Sequence, residues 1–528
     1  MRTTFIPAIA CLLLAACGGG GGSSGGTSLT PVGWTAGVFK AESTFANKCA
    51  APRTGTDPFT NAAYPDKAGT LLDENNWLRS WTNDLYLWFD EVVDRNPSGY
   101  ATTDAYFAVL KTTATTSSGA AKDKFHFTYK TSDWEALSQS GTQAGYGATW
   151  VLLATTPPRQ AVVAFTEPGS PATTAPASLA RGAQVLQVDG VDLVNDNTQA
   201  GVDTLNAGLF PATVGESHTF VVQDVGSAVT RTITMVSANV TSHPVRNVTT
   251  IPTAGGGTAG YMLFNDHLAT SEAALVSAFT TLQAANVTDL VLDIRYNGGG
   301  YLDIASEVAY MIAGPTATTG KTFEEIQFNS KHPTVDPVAG GTITPTPFES
   351  TTQGFSTTAG QPLPSLNLTR VFVLTSADTC SASESIINSL RGINIDVIQV
   401  GSTTCGKPYG FYPQDNCGTT YFSIEFRGVN EANFGDYTDG FSPQNAPTPT
   451  NAVLPGCSVG DDFNHQLGDP AEARLAAALN YIASPGTCPT PASGFAKSQV
   501  AEAPGTLAGI PLNAPPTRAL KILGHARR

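Results

Sequence analysis

A chain of 528 residues is too long for one hydrophobic core, because cores stop growing near about 250–300 residues, so two or three domains are expected. With 41% hydrophobic and 13% charged residues it is a folded protein and not a disordered one. The net charge of −15 argues against a nucleic-acid partner and against electrostatic attachment to anionic lipid, both of which favour basic faces.

The chain opens with Arg2, an apolar run from Phe5 to Ala16, and Leu14-Ala15-Ala16-Cys17. A run this short is a signal-peptide core, since a spanning helix needs about 20 apolar residues. Small residues before Cys17 and the Gly18 to Gly26 tract after it resemble a bacterial lipobox, in which Cys17 becomes the lipidated first residue. Ordinary secretion with a chance cysteine is the alternative. Residues 1–17 are thus read as signal peptide and lipobox, and 18–70 as a Gly/Ser-rich tether and irregular segment. No later segment is long and apolar enough to span a bilayer, so the expectation is an exported periplasmic or cell-surface lipoprotein, anchored by lipid. Glycine rather than aspartate after Cys17 points, by analogy with lipoprotein sorting, to the outer membrane.

Residues 71–144 are expected to form a small helical domain. Trp77, Trp81, Leu85 and Trp88 recur at helical spacing and share one face, and Asp104 to Leu110 suggest a second helix. Residues 145–245 are β-rich, with short apolar runs at 150–153, 161–165, 185–188 and 219–222 between Gly, Pro and Asp. Gly169-Ser170-Pro171-Ala172 and the run Arg181-Gly182-Ala183-Gln184-Val185 through Val188-Asp189-Gly190 resemble the PDZ pattern, in which the first motif opens a short helix. A PDZ-like edge beside Gly145-Tyr146-Gly147-Ala148 would take a peptide C-terminus by strand addition. A β-domain without a peptide role is the plainer reading.

Residues 246–488 alternate strand and helix, the pattern of βαβ units on a parallel sheet. Strands are expected at 261–264, 290–294, 371–374 and 397–400, with helices over 271–286 and 302–312 and another from about 383. Residues 316–365 interrupt the alternation with a Thr/Pro/Gly-rich insertion, read as a surface excursion. The tail, 489–528, has no sustained periodicity and is expected to be poorly ordered. Its basic residues Arg518, Lys521, Arg527 and Arg528 read as a solvated terminus. The fold class is therefore multidomain α/β.

Ser381, in Thr379-Cys380-Ser381-Ala382-Ser383-Glu384, lies shortly past a strand and at the start of a helix. A nucleophile there is exposed at the strand's carboxyl end, with free N–H groups of the first helical turn facing a developing oxyanion. Ser381 or Ser383 as a mere helix cap is the structural alternative. Asn297-Gly298-Gly299-Gly300 forms a second strand-to-helix turn, where glycines let backbone N–H groups approach a ligand. Gly406-Lys407 follows a third strand, with Lys407 26 residues after Ser381. A desolvated, neutral lysine can take a serine proton. No G-x-S-x-G elbow surrounds Ser381, and among the seven histidines His267 is the best alternative base.

Together these segments resemble the carboxyl-terminal processing peptidase (tail-specific protease) family of Ser-Lys type, over roughly residues 70 to 485. The family reads strand, S-A-S-A-S-E-I, helix, strand and G-K, and its D-L-R-x-N-P-G-G-x-L matches Asp293-Ile294-Arg295-Tyr296-Asn297-Gly298-Gly299-Gly300-Tyr301-Leu302 with glycine for proline. The resemblance implies a ClpP/crotonase-like peptidase core acting on protein or peptide substrates without a cofactor or metal. It makes Ser381 the nucleophile and Lys407 the general base, with Ala382 and Gly299 or Gly300 as oxyanion-hole donors. This chain departs from the pattern in three places. The Ser-Lys spacing is one residue longer. Phe411 replaces the usual glutamine, leaving Gln414 as a candidate to orient the lysine. Cys380 and Cys405 flank the two catalytic positions, and their pairing is expected to brace the site. With Cys11 in the signal and Cys17 lipidated, Cys49, Cys380, Cys405, Cys417, Cys457 and Cys488 can form up to three disulfides. No C-x-x-C or Cys/His cluster suggests zinc. A non-proteolytic binding protein on the same scaffold is the competing function; the oligomeric state is not legible.

Overall fold

The structure is a computed structural model and describes residues 34–491, 512 and 520–523. The signal peptide, Cys17, Arg518, Arg527 and Arg528 lie outside the described residues.

Thr70 starts the first helix, Leu71–Leu85: its hydroxyl accepts the Asp73 N–H while the Asp73 carboxylate accepts the Thr70 N–H. Trp77, Leu78, Trp81 and Leu85 are buried against Tyr106, Phe107, Leu110 and Tyr421, and the two indoles stack at 5.1 Å. The helix ends before Trp88, which the periodicity had put on the same face. Tyr86 turns to an extended ψ of 131°, and Trp88 packs edge-on against Tyr86 and Tyr409 instead. The second helix is short, Thr103–Phe107, and a third, Thr131–Ser140, follows a strand, Phe127–Lys130. That strand pairs with Thr419–Phe422, and a disulfide joins Cys49 to Cys417, so the N-terminal segment is built into the rest of the chain.

The β-rich segment forms a sheet running from Thr230–Val236 through Ser217–Gln223, Gln184–Val188 and Gln160–Thr166 to Ala148–Ala154 at its edge. The helix Gln199–Leu209 buries Val202, Leu205 and Leu209 against it. The helix expected to open at Ser170 is instead a series of hydrogen-bonded turns over 170–177, in a stretch interrupted by Pro171 and Pro176.

The central sheet has the order Val245–Pro252, Thr258–Phe264, Asp289–Asp293, Arg370–Thr375, Asp396–Gly401, Gly456–Ser458. Its first pair is antiparallel and the others are parallel. Ser271–Ala284, Leu302–Thr318 and Ala382–Gly392 cover one face, and Ala473–Ala483 the other. Strands buried on both faces explain why Leu290-Val291-Leu292 and Val371-Phe372-Val373-Leu374 read as unbroken apolar runs. The carboxyl ends of these strands are where such sheets place a ligand crevice.

Two expectations are corrected. The insertion is not only a surface excursion: Thr322–Phe328 is a strand paired with Phe426–Val429, and Phe323 and Glu324 are fully buried. Its apolar positions were hidden by the Thr/Pro/Gly composition around them. Nor is Lys521 solvated. Leu520–Ile522 forms a strand parallel to Gly299–Tyr301, and Lys521 is fully buried. A strand of three residues is held by its neighbours' hydrogen bonds rather than by periodicity of its own.

Candidate active site

The turn between Arg370–Thr375 and Ala382–Gly392 is stitched to the turn that follows Asp289–Asp293. Thr379 Oγ1 donates to the Ile294 carbonyl at 2.8 Å, the Cys380 N–H to Asn297 O at 3.0 Å, and Ser383 Oγ to the same oxygen at 3.0 Å. Ser376 Oγ donates to the Arg295 carbonyl. Ser383, the alternative helix cap, is therefore spent on Asn297. Ser381 sits at φ 63°, ψ −113°, a conformation that costs an L-residue about 1–3 kcal/mol and collects at functional sites. Its Oγ is buried and hydrogen-bonds to no described residue.

Glu384, one turn into the helix, binds the Ser381 and Lys407 segments together. One carboxylate oxygen accepts the Ser381 N–H at 2.9 Å and the Lys407 N–H at 2.8 Å. The other accepts the Gly406 N–H at 2.8 Å and Thr404 Oγ1 at 2.5 Å. Burial pushes this carboxyl above its ordinary value, and the four donors oppose that shift. Beside it a disulfide joins Cys380 to Cys405, the expected pairing; the others are Cys49–Cys417 and Cys457–Cys488. Among the described residues the one cluster with metal-ligand spacing is Cys380, Glu384 and Cys405, and its two sulfurs are bonded to each other.

Lys407 is fully buried. Desolvation drives its pKa well below the usual lysine value; Asp123 and Glu384 oppose the shift, and the Lys521 charge adds to it. Its Nζ lies 4.0 Å from the Phe411 ring centroid and 4.9 Å from that of Phe125. Gln414, the candidate orienting residue, belongs to the strand Gln414–Asn416 and pairs with Tyr421. Two aromatic faces wall the lysine where an amide was expected.

The oxyanion candidates divide. Ala382 is the first residue of its helix, so its N–H stands outside the intrahelical ladder. The Gly299 N–H is occupied by Asn297 Oδ1 at 2.9 Å. The same oxygen accepts from His267 Nδ1 at 3.0 Å, and Asn297 Nδ2 donates to the Phe264 carbonyl at 2.9 Å. Burial pushes the His267 pKa down to about 3, leaving a neutral ring packed 4.5 Å from Phe264. His267 makes no hydrogen bond to Ser381, and an amide rather than a carboxylate orients it, so it is a support of the glycine turn and not the triad base. Gly300 runs along His267 at φ 142°, where a Cβ would lie 2.4 Å from the His267 carbonyl oxygen, so only glycine fits.

The turn is also fixed from behind. Arg295, fully buried, meets Asp293 at 2.9 Å, Glu472 at 2.8 and 2.9 Å, and Asp461 at 2.7 Å. Arg181, from the PDZ-like motif, reaches the same Asp461 at 2.6 Å and the Tyr296 hydroxyl at 2.7 Å. The β-rich segment is thereby tied to the residues adjoining the glycine turn. Sequence reasoning named Ser381, Lys407 and the glycines but missed the roles of Glu384, Asn297, Phe125 and Asp123. Glu384 and Asn297 carried a signal, as polar residues of the two quoted motifs.

Residues 258–411 match the model of peptidase family S41, and the span includes Ser381, Lys407 and the glycine turn. The chain carries an S41 peptidase domain. The family is one of serine peptidases, and the protein is a serine-type peptidase. Among solved structures, a candidate S41 protease from Bacteroides fragilis NCTC 9343 is 22% identical, covering 80% of this chain and 98% of its own, with a TM-score of 0.56. That likeness shows a shared fold. The photosystem II D1 C-terminal processing protease is 20% identical over 74% of this chain and 94% of its own, with a TM-score of 0.42. No curated protein matches the sequence.

Proposed function

We propose that the protein is an exported, lipid-anchored endopeptidase that hydrolyses peptide bonds by a Ser381–Lys407 dyad. Ser381 Oγ attacks the scissile carbonyl as Lys407 Nζ takes its proton, and the same amine then protonates the leaving nitrogen. Water repeats the sequence to release the acyl group. The N–H groups of Ala382 and Gly300 receive the oxyanion. The observation that carries this reading is the buried lysine whose main chain shares one Glu384 oxygen with that of a strained, buried serine. A PDZ-like domain with Ala148–Ala154 at the sheet edge supports recognition of C-terminal segments by strand addition.

Ser381→Ala and Lys407→Ala should each lower kcat/KM on a peptide substrate by at least about a thousandfold while the circular dichroism spectrum is unchanged. Full activity in either variant overturns the mechanism. The second reading, a peptide-binding lipoprotein without hydrolysis, is favoured by the Gly299 N–H being held by Asn297. Cleavage of a defined peptide by the native chain, lost in Ser381→Ala, rules it out.

A further inference from the structure

The groove between the two catalytic segments holds a strand of the chain itself. On one side of Leu520–Ile522 runs Gly299–Tyr301, in parallel register Gly300 to Lys521. On the other, the Phe411 N–H donates to the Lys521 carbonyl at 3.0 Å, and Phe411 pairs with Ile522. The Gly299 carbonyl and Tyr301 N–H are both spent on His267, so strand alternation leaves Gly300's own N–H and carbonyl to face the tail. The Gly300 N–H, a candidate oxyanion donor, is therefore directed at the Leu520 carbonyl.

The Lys521 side chain enters a built pocket. Its Nζ lies 2.9 Å from each oxygen of Glu324 and 3.2 Å from the carbonyl of Pro408, the residue after Lys407. Glu324 and Lys521 are both fully buried. The pocket has room because residue 428 is glycine: a Cβ there would lie 2.0 Å from Glu324 Oε1. A second point on the tail is also fixed. Leu512 is buried in the core of the β-rich domain and donates its N–H to the Thr155 carbonyl, next to the edge strand Ala148–Ala154, at 3.1 Å.

We propose that this groove is the substrate cleft, that Glu324 forms a subsite selecting a lysine or arginine side chain of an extended peptide, and that the chain's own Leu520-Lys521-Ile522 is its resident occupant. The inference rests on the peptidase reading above and adds a specificity to it. Main-chain pairing on both sides supplies affinity without regard to sequence, whereas a carboxylate enclosed at the pocket's end accepts a cation and rejects an apolar or acidic side chain. Substrate must displace the tail, so a peptide competes with a tethered copy of its own motif at the high effective concentration of an intramolecular ligand.

Binding and hydrolysis separate the two readings. A fluorescent octapeptide of sequence 517–524, and a copy with glutamate at the Lys521 position, are titrated by anisotropy into the full chain carrying Ser381→Ala and Lys521→Glu, which cannot cut and whose own strand is repelled by Glu324. The lysine peptide should bind at least about tenfold more tightly than the glutamate copy, the worth of a charge-assisted hydrogen bond. Adding Glu324→Gln should reduce that preference below about threefold. With Ser381 intact, Lys521→Glu alone should raise hydrolysis of the lysine peptide at least about tenfold. Equal binding of the two peptides, binding of neither, or a preference unchanged by Glu324→Gln overturns the subsite, and an unchanged hydrolysis rate overturns tail occupancy. Selective binding with no Ser381-dependent hydrolysis would uphold the subsite and sink the peptidase mechanism instead.

Discussion

At Lys407, burial biases towards its free base an amine that would be charged in water, which is what the proposed dyad requires of it. Because its folded pKa is depressed, the unfolded chain binds a proton that the folded chain lacks between that depressed value and about 10.4. Stability should therefore rise with pH across that window and fall as pH drops towards the folded-state pKa. Lys407→Met, which fills the same space without an ionisable group, should remove this slope in urea titrations at several pH values and stabilise the protein at neutral pH. A slope that persists would mean that Asp123 and Glu384 keep the amine charged. Ser381 is the complementary case. Ser381 stands at the N-cap of Ala382–Gly392, and its positive φ and uncommitted Oγ are local strain of the kind that collects at functional positions.

At the level of elements, the site depends on turns pinned by buried charge. Arg295 is enclosed by three carboxylates at the start of the glycine turn. Removing one partner of such a network strands the others, so Arg295→Ala should lower the unfolding free energy by about 3–5 kcal/mol, read by chemical denaturation. The insertion is pinned in a different way. Glu272 accepts N–H groups from Gln353, Gly354, Ser356 and Thr357, and Glu307 shares the Gln353 N–H with it. Burial, then the Glu272 charge, pushes Glu307 up to about 9, so it holds a proton in the folded state. Its contribution is complete below the unfolded carboxyl value, about 4.3, and is lost as pH rises towards about 9. Glu307→Gln keeps a donor towards Glu272 without the titration, and should flatten the decline in melting temperature between pH 5 and 9.

Across the whole molecule, long-range ties decide what a segment becomes. The Cys49–Cys417 disulfide spans 368 residues, and Phe127–Lys130 joins the sheet that carries Gln414. Closing so long a loop restricts the unfolded chain, and replacing both cysteines by alanine should cost about 3–5 kcal/mol in a urea titration. Loss of less than about 1 kcal/mol would show that strand pairing alone holds the N-terminal segment in place. The described tail residues reach two distant places, Thr155 and the groove beside Gly300.

Much of this protein is written locally. The parallel strands were legible because both of their faces are buried, and the helices because an apolar stripe at 3.6-residue spacing must meet a core. Ser381, Lys407 and the glycine turn were legible because each follows such a strand, and the Cys380–Cys405 pairing because both cysteines adjoin those positions. What stayed hidden had no period or local motif. Phe125 joins Phe411 as a wall of the lysine only when a loop far away in sequence is brought beside it. Asn297 stood in a quoted motif, but its bonds to His267 and Phe264 depend on the neighbouring strand and the turn after it, and Glu324 lies in a segment whose composition reads as loop. Lys521, a cation near the end of the chain, reads as solvated by every local rule. The sequence by itself determined which residue types stand at the candidate catalytic positions and the order of strands and helices that present them, because propensity and burial period act over a few residues. Only the tertiary structure decided what surrounds Lys407 and what fills the groove, because desolvation and strand pairing depend on which distant segments are brought together.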